Sequence, residues 1–407
     1  TAKWRVFTDK ARKLSSQGLY DDAEKYFYKA LEEAKIGFGD GDPHVASCYN
    51  NLAELYRMKK EYEKAEPFYV EAISQLLETS GVQDGSAGFA LHNLAGFYLL
   101  QKKLGRAQEC YEEALKIKGR ALGFDHPEYA NTMFHLGEVI RLRGDVNGAV
   151  DLMRGSITIL EQIGLGSTAI AIKRRGRLSE VLLFSGHLKE AEVNQRKAVQ
   201  ILEFSKDASA LDVASGIELL VTILLKQGKF DECEGLLERC ISVLRDNHDP
   251  NDIHLAASLL KLGGILLQKG RKSLVSSGNN STAHNYYGKA EELLMEAARI
   301  GEMKWRESIL GTGNGSLENK RLSCVRGLLL SIQSLVMLGE LGIHKLDVVP
   351  DSQASLSTHK NAEEALRRAM VLLDDAHVQE VLKPSEAKRF RMECSENMTR
   401  LHERGTE

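Results

Sequence analysis

The chain has 407 residues, a formal net charge of -3, 27% charged residues and 43% hydrophobic residues. Its length exceeds the roughly 150-residue prior for one domain, and its near-neutral charge leaves no global basic field to hold a nucleic-acid backbone. Six Cys without a C-x-x-C pair, and no apolar run of the roughly 18 residues that a membrane span needs, argue against a disulfide framework, a zinc site and a bilayer segment.

Residues 3–16 read as a first helix. Lys10 stands there at a slot that later becomes Leu52, Leu94, Leu136, Leu178, Leu220 and Leu262. A charge at that slot suits a terminal cap with no repeat before it. The best-formed element is Tyr49 to Ala72. Leu52, Ala53 and Tyr56 share one face of a first helix; Tyr62, Ala65, Tyr69 and Ala72 share one face of a second; Lys59-Lys60-Glu61 turns between them. Its small slot recurs every 42 residues as Ala23, Ala65, Ala107, Ala149, Ala191 and Cys233. In step with it run Ala30, Ala72, Ala114, Ser156, Ala198 and Cys240, and the large turn residues Tyr20, Tyr62, Leu104, Val146, Leu188 and Phe230. A fourth row, Gly18, Lys60, Lys102, Gly144, Gly186, Gly228 and Gly270, is placed to end the first helix of each pair in a left-handed residue.

These rows predict six regular units over 1–252, degenerate units over 253–374, and a C-terminal capping helix within 375–407. The seventh unit opens at His254 to Lys269, and 271–284 reads as an inserted loop. The alanine slot resumes at Ala290 and again at Ala365, with further loops expected over 310–320 and 342–360. From Pro384 a charged helix runs to about His402.

On these residues the chain resembles the tetratricopeptide repeat superfamily, and within it the kinesin light chain subtype. The subtype's 42-residue unit and LG-x-DHP linker are matched by Leu122-Gly123-Phe124-Asp125-His126-Pro127, with a variant at Gly39 to His44. The segments Asn50 to Tyr56 and Lys64 to Ile73 follow its wording closely. The resemblance covers residues 1 to about 270. It implies an all-α, right-handed superhelical solenoid of about eight helix pairs plus a C-terminal capping helix, with the first helices lining a concave groove.

Carrying the family's groove positions along the period gives the column Asn51, Asn93, His135 and Arg177, preceded by Asn50 and His92. Arg57 and Arg141 follow six residues after the column, and Lys173 forms a basic i, i+4 pair with Arg177, extended by Arg174. An Asn can both donate and accept, which suits clamping a peptide main chain; the cations suit an acidic or carboxylate-bearing segment, or else only solvate exposed faces and pair with Glu54, Glu138 and Glu180 nearby. Farther on the columns turn apolar at Leu219, Leu225, Leu260 and Leu267, suggesting a hydrophobic pocket or burial under the inserted loops.

Other motifs fail on context. Gly37–Gly41 and Gly311–Gly315 lack the Lys-Ser/Thr of a phosphate loop, and His248-Asp249 with Asp252 and His254 falls in a linker where Asp caps a helix. No spacing supports catalysis. The expectation is a non-catalytic scaffold or adaptor binding a protein segment, without cofactor, metal or small-molecule ligand, and with direct nucleic-acid binding not expected. An organellar (chloroplast or mitochondrial) assembly or RNA-processing cofactor, working through protein partners, is the alternative. The expected setting is reducing and intracellular: the cytoplasm or, if a transit peptide was removed, an organelle interior.

Overall fold

A computed structural model describes residues 2–79, 85–205, 207–247, 251–277, 280–309, 317–346, 353–375, 378 and 382–405. The described residues form seventeen helices and no strand, arranged in two compact units, Thr1–Asn194 and Gln195–Glu407.

The first unit contains α1 (Ala2–Ser16), α2 (Tyr20–Phe38), α3 (Pro43–Met58), α4 (Tyr62–Thr79), α5 (Ser86–Leu100), α6 (Leu104–Leu122), α7 (Pro127–Leu142), α8 (Val146–Gln162) and α9 (Ala169–Phe184). Helix α10 (Leu188–Phe204) follows. The helices start where the sequence supplies a cap. Asp42 accepts the His44 N–H at 2.8 Å ahead of Pro43, and His126 accepts the Glu128 N–H at 3.1 Å ahead of Pro127. The first helix of each of the six regular units ends in a left-handed residue of the predicted row. Gly18, Gly144, Gly186 and Gly228 have φ between 75° and 102°, and Lys60 and Lys102 adopt 63° and 60° despite carrying a Cβ.

The two small-residue rows are buried throughout, Ala23 to Cys233 at 0% exposure and Ala30 to Cys240 at 1% or less. Small side chains there let paired helices approach closely. The Leu row from Leu52 to Leu262 is 5% exposed or less, whereas Lys10 is exposed and places its ammonium 4.3 Å from the Tyr26 ring. Ser156, the hydroxyl in an alanine row, donates to the Ala130 carbonyl at 2.7 Å, so the polar group is satisfied inside the stack.

The second unit contains α11 (Ala210–Lys226), α12 (Phe230–Asn247), α13 (Ile253–Ser277), α14 (Asn280–Ile309), α15 (Leu317–Leu346), α16 (Gln353–Asp374) and α17 (Pro384–Gly405). Three sequence expectations change here. Most of 271–284 is helix, since α13 runs through Ser277 and α14 begins at Asn280. Residues 317–320 belong to α15, 342–346 to its end and 353–360 to α16; 310–316 and 347–352 lie outside the described residues. Gly270 does not end a helix but sits inside α13 against Tyr287, where a Cβ would meet the ring at 2.3 Å.

The cause of the long α14 is a seam of Ala283, Tyr287, Ala290, Leu294 and Ala297, each fully buried, at i, i+4, i+7, i+11 and i+14. That seam packs α14 against α13 and α15, and burial outweighs the Ser/Asn/Gly composition. The expectation about apolar runs also needs correction, because Val325–Leu346 in α15 is long and apolar enough to cross a membrane by length and mean hydropathy (1.4). Two-thirds of that window is buried inside the protein, as an all-round apolar helix requires when α14 and α16 flank it.

Candidate functional site

The sequence-derived residues lie on one face of the first unit, on the odd-numbered helices. Asn93 of α5 donates through Nδ2 to Asn50 Oδ1 of α3 at 3.2 Å. His92 of α5 and His135 of α7 meet edge to face, ring centroids 5.2 Å apart, and Tyr111 touches both. From α9, Arg177 reaches Glu138 of α7 at 2.7 Å, where Arg141 binds the same carboxylate at 3.0 Å. Asn50, Asn51, His92, Asn93, His135, Arg141 and Arg177 thus form a continuous strip across α3, α5, α7 and α9. Asn51 Nδ2 is shielded from solvent and has no hydrogen-bond partner. Arg57 pairs within α3 with Glu54 at 2.7 Å, and Lys173 is exposed at the edge of the strip.

The arginines take the second of the two readings open to them: they are not free charges. Arg57 is matched by Glu54, and Arg141 and Arg177 by Glu138 and Glu180. Burial pushes the Glu138 carboxyl up, but Arg177 and Arg141 together hold it below the usual carboxylate range. This part of the strip is a neutral ladder, each arginine being answered by a glutamate one helical turn away.

The unbalanced positive charge lies elsewhere. Lys118 of α6 is fully buried, its ammonium 3.0 Å from Thr132 Oγ1, 3.3 Å from Glu128 and 4.3 Å from the Phe89 ring centroid. Arg174 of α9 is 6% exposed, donates to Ser156 Oγ at 3.0 Å and Asn131 Oδ1 at 2.7 Å, and stacks over Phe134 at 5.2 Å. Both hydrogen-bond acceptors of this guanidinium are neutral, so one carboxylate, Glu128, faces two cations. Burial, then Lys118, His135 and Arg174, drive His92 down to about 3, and burial and Arg174 lower His135 as well. His92 is therefore neutral. Thr132 spends its only proton on the Glu128 carbonyl at 3.0 Å, so its 3.0 Å contact with His92 Nδ1 requires that nitrogen to donate. The Nε2 lone pair is left as an acceptor.

Sequence reasoning passed over Lys118 and, as a buried group, Arg174. The signal was in the same register. Lys118 occupies a row otherwise made of Ala34, Leu76, Leu160, Leu202 and Leu244, all buried. Arg174 occupies a row of Cys48, Ala90, Thr132, Gly216 and Ser258, where every other member is small.

In the second unit the same columns face the chain's own helices. Glu218, in the Asn50 column, lies 3.7 Å from His254 and 3.7 Å from Arg326 of α15. Leu225 and Leu260 line a cavity to which α17 contributes a wall, so of the two expectations the pocket, not burial under loops, describes them.

The family model for the tetratricopeptide repeat matches residues 9–78 and 86–162. Over those residues the chain carries tetratricopeptide repeats. No curated protein sequence matches it. Among solved structures, BtubC (BKLC) from P. vanneervenii is 17% identical with a TM-score of 0.50, covering 55% of this chain and 90% of that one. The apo form of RapI is 12% identical with a TM-score of 0.53, covering 90% of this chain and 98% of that one. A putative kinesin light chain with nearly identical TPR-like repeats, from Podosopora anserina, is 19% identical with a TM-score of 0.45, covering 50% of this chain and 96% of that one. At these identities the likeness to BtubC and RapI speaks to the fold alone. Among the described residues no cluster of three or more His, Cys, Asp or Glu is grouped as for a metal ion.

Proposed function

We propose that this tetratricopeptide-repeat chain is a non-catalytic scaffold that holds a segment of a partner protein along the α3–α5–α7–α9 strip. The observation that carries this reading is the file of polar side chains running from Asn50 and Asn93 through His92 and His135 to Arg177, spanning four helices. Lys118 and Arg174 are buried, so an anionic group on the partner would sense their unbalanced charge through the strip rather than pair with them directly, while Arg57, Arg141 and Arg177 are already answered. A preformed strip loses little entropy on binding, which favours capture of an extended segment.

The Asn51→Asp, Asn93→Asp double variant tests this. It removes two amide donors and adds two like charges, so partner capture should fall by about tenfold or more while thermal unfolding stays within a few degrees. Undiminished capture by a folded double variant would remove the strip as the binding surface.

A further inference from the structure

The second unit holds a cavity of about 670 Å³ between α13, α15 and α17. It falls within the roughly 300–1,000 Å³ range of small-ligand sites. Its apolar wall comes from Leu225, Leu260, Ile265, Val336, Met337 and Phe390. Its charged lining consists of Lys261, Arg389 and Arg400 against Glu340, Glu393 and Glu396. Those charges balance in number and are in part answered: Arg389 lies 3.6 Å from Glu393, while from outside the lining Arg271 pairs with Glu340 and Glu218 answers Lys261. No excess charge is left to recognise an ion.

What remains is a set of three carboxamides, Gln268, Gln333 and Asn397. Asn397 is the informative one. The inward seam of α17 is Phe390, Cys394, Asn397 and Leu401, at i, i+4, i+7 and i+11, and its other members are 2% exposed or less. Asn397 itself is only 8% exposed, lines the cavity, and has no hydrogen-bond partner among the described residues. Its amide stays accessible from the cavity, and a polar group that interrupts an apolar seam without a hydrogen bond inside the fold adds nothing to the stability of the empty protein. Leu at that position would fill the seam better.

We infer that the cavity under α17 is a binding site for a small, uncharged molecule carrying an amide group on an apolar body, with Asn397 reading the amide. An amide presents one donor and one acceptor, and a carboxamide side chain answers both. The apolar body would lie on the Leu260, Met337 and Phe390 wall. Short blocked peptides and acyl amides share this chemistry. The site lies wholly within the second unit and stands independently of the strip on the first.

The test uses the full chain with three probes: octanamide, N-acetyl-trileucine amide, and octanoate, which keeps the tail of the first but replaces its amide with a charge. Binding is read by calorimetric titration and by the shift in Tm. At least one amide should bind at one site, with octanoate about tenfold weaker or worse; the tighter amide identifies peptide or acyl chemistry as the source. Asn397→Leu should weaken amide binding by about tenfold while leaving the Tm of the empty protein unchanged or higher. Equal binding of octanoate, failure of both amides to bind, or a lowered Tm with unchanged amide binding would each overturn the proposal.

Discussion

Lowering the pH from about 6.5 to about 4.5 should destabilise the first unit by about 2 kcal/mol through His92 alone, and His92→Gln should remove that share of the slope. Inside the fold the His92 imidazole is held near 3 by burial, by Lys118, by His135 and by Arg174, whereas in the unfolded chain it titrates near 6.5. Between those values the unfolded state binds the extra proton, so stability falls as the pH falls. Above the unfolded value neither state is charged and the effect vanishes. The full linkage slope is about 1.4 kcal/mol per pH unit, and about 1 is expected because the ring retains some solvent contact. His135 acts in the same direction, its own value being lowered by burial and Arg174. The window from about 4.5 to 6.5 isolates the histidines, since Glu138, held low by Arg177 and Arg141, gives up its contribution only at more acid pH. Chemical unfolding across that window, in the parent chain and in His92→Gln, measures the difference.

In the second unit, Gly301→Val should cost about 3 kcal/mol, while Gly288→Ala on the same helix should add about 0.5–1 kcal/mol of stability. A Cβ at Gly301 would stand 2.6 Å from the Gly327 carbonyl oxygen and 2.8 Å from the Ser331 backbone nitrogen of α15. Those are backbone atoms, so relief requires moving a helix rather than a rotamer. Gly288 has nothing within 4 Å of the same construction, and a methyl there only favours the helix. Opposite signs from two glycines thirteen residues apart would place the tightest α14–α15 approach at Gly301. Denaturant unfolding followed by circular dichroism reads both changes.

The helix pairs were legible because each row of the 42-residue register answers to one physical demand. Alanine marks close helix approach, leucine the buried stripe, and glycine the left-handed end; the backbone keeps the last conformation even where Lys60 and Lys102 replace glycine. The long helices α13 and α14 were not legible. Ser276, Ser277, Gly278, Asn279 and Asn280 read locally as loop, while the Ala283–Ala297 seam that decides the matter depends on two partner helices. The candidate strip was partly legible. Asn50, Asn51, His92, Asn93 and His135 came from the period, but whether an arginine is free or paired depends on neighbours a full unit away, as Arg177 and Glu138 illustrate. Lys118 and Arg174 could have been found by asking which member of each buried row carries a charge.

The most direct measurement of the scaffold reading is site-specific photo-crosslinking from the folded chain to its partner. A photoreactive residue at Lys173, exposed at the edge of the strip on α9, should capture the partner in high yield. The same residue at Glu112, exposed on α6, should give none. Capture from Glu112 with silence at Lys173 would contradict the account, because the partner would then sit on the second helices and not on the polar strip.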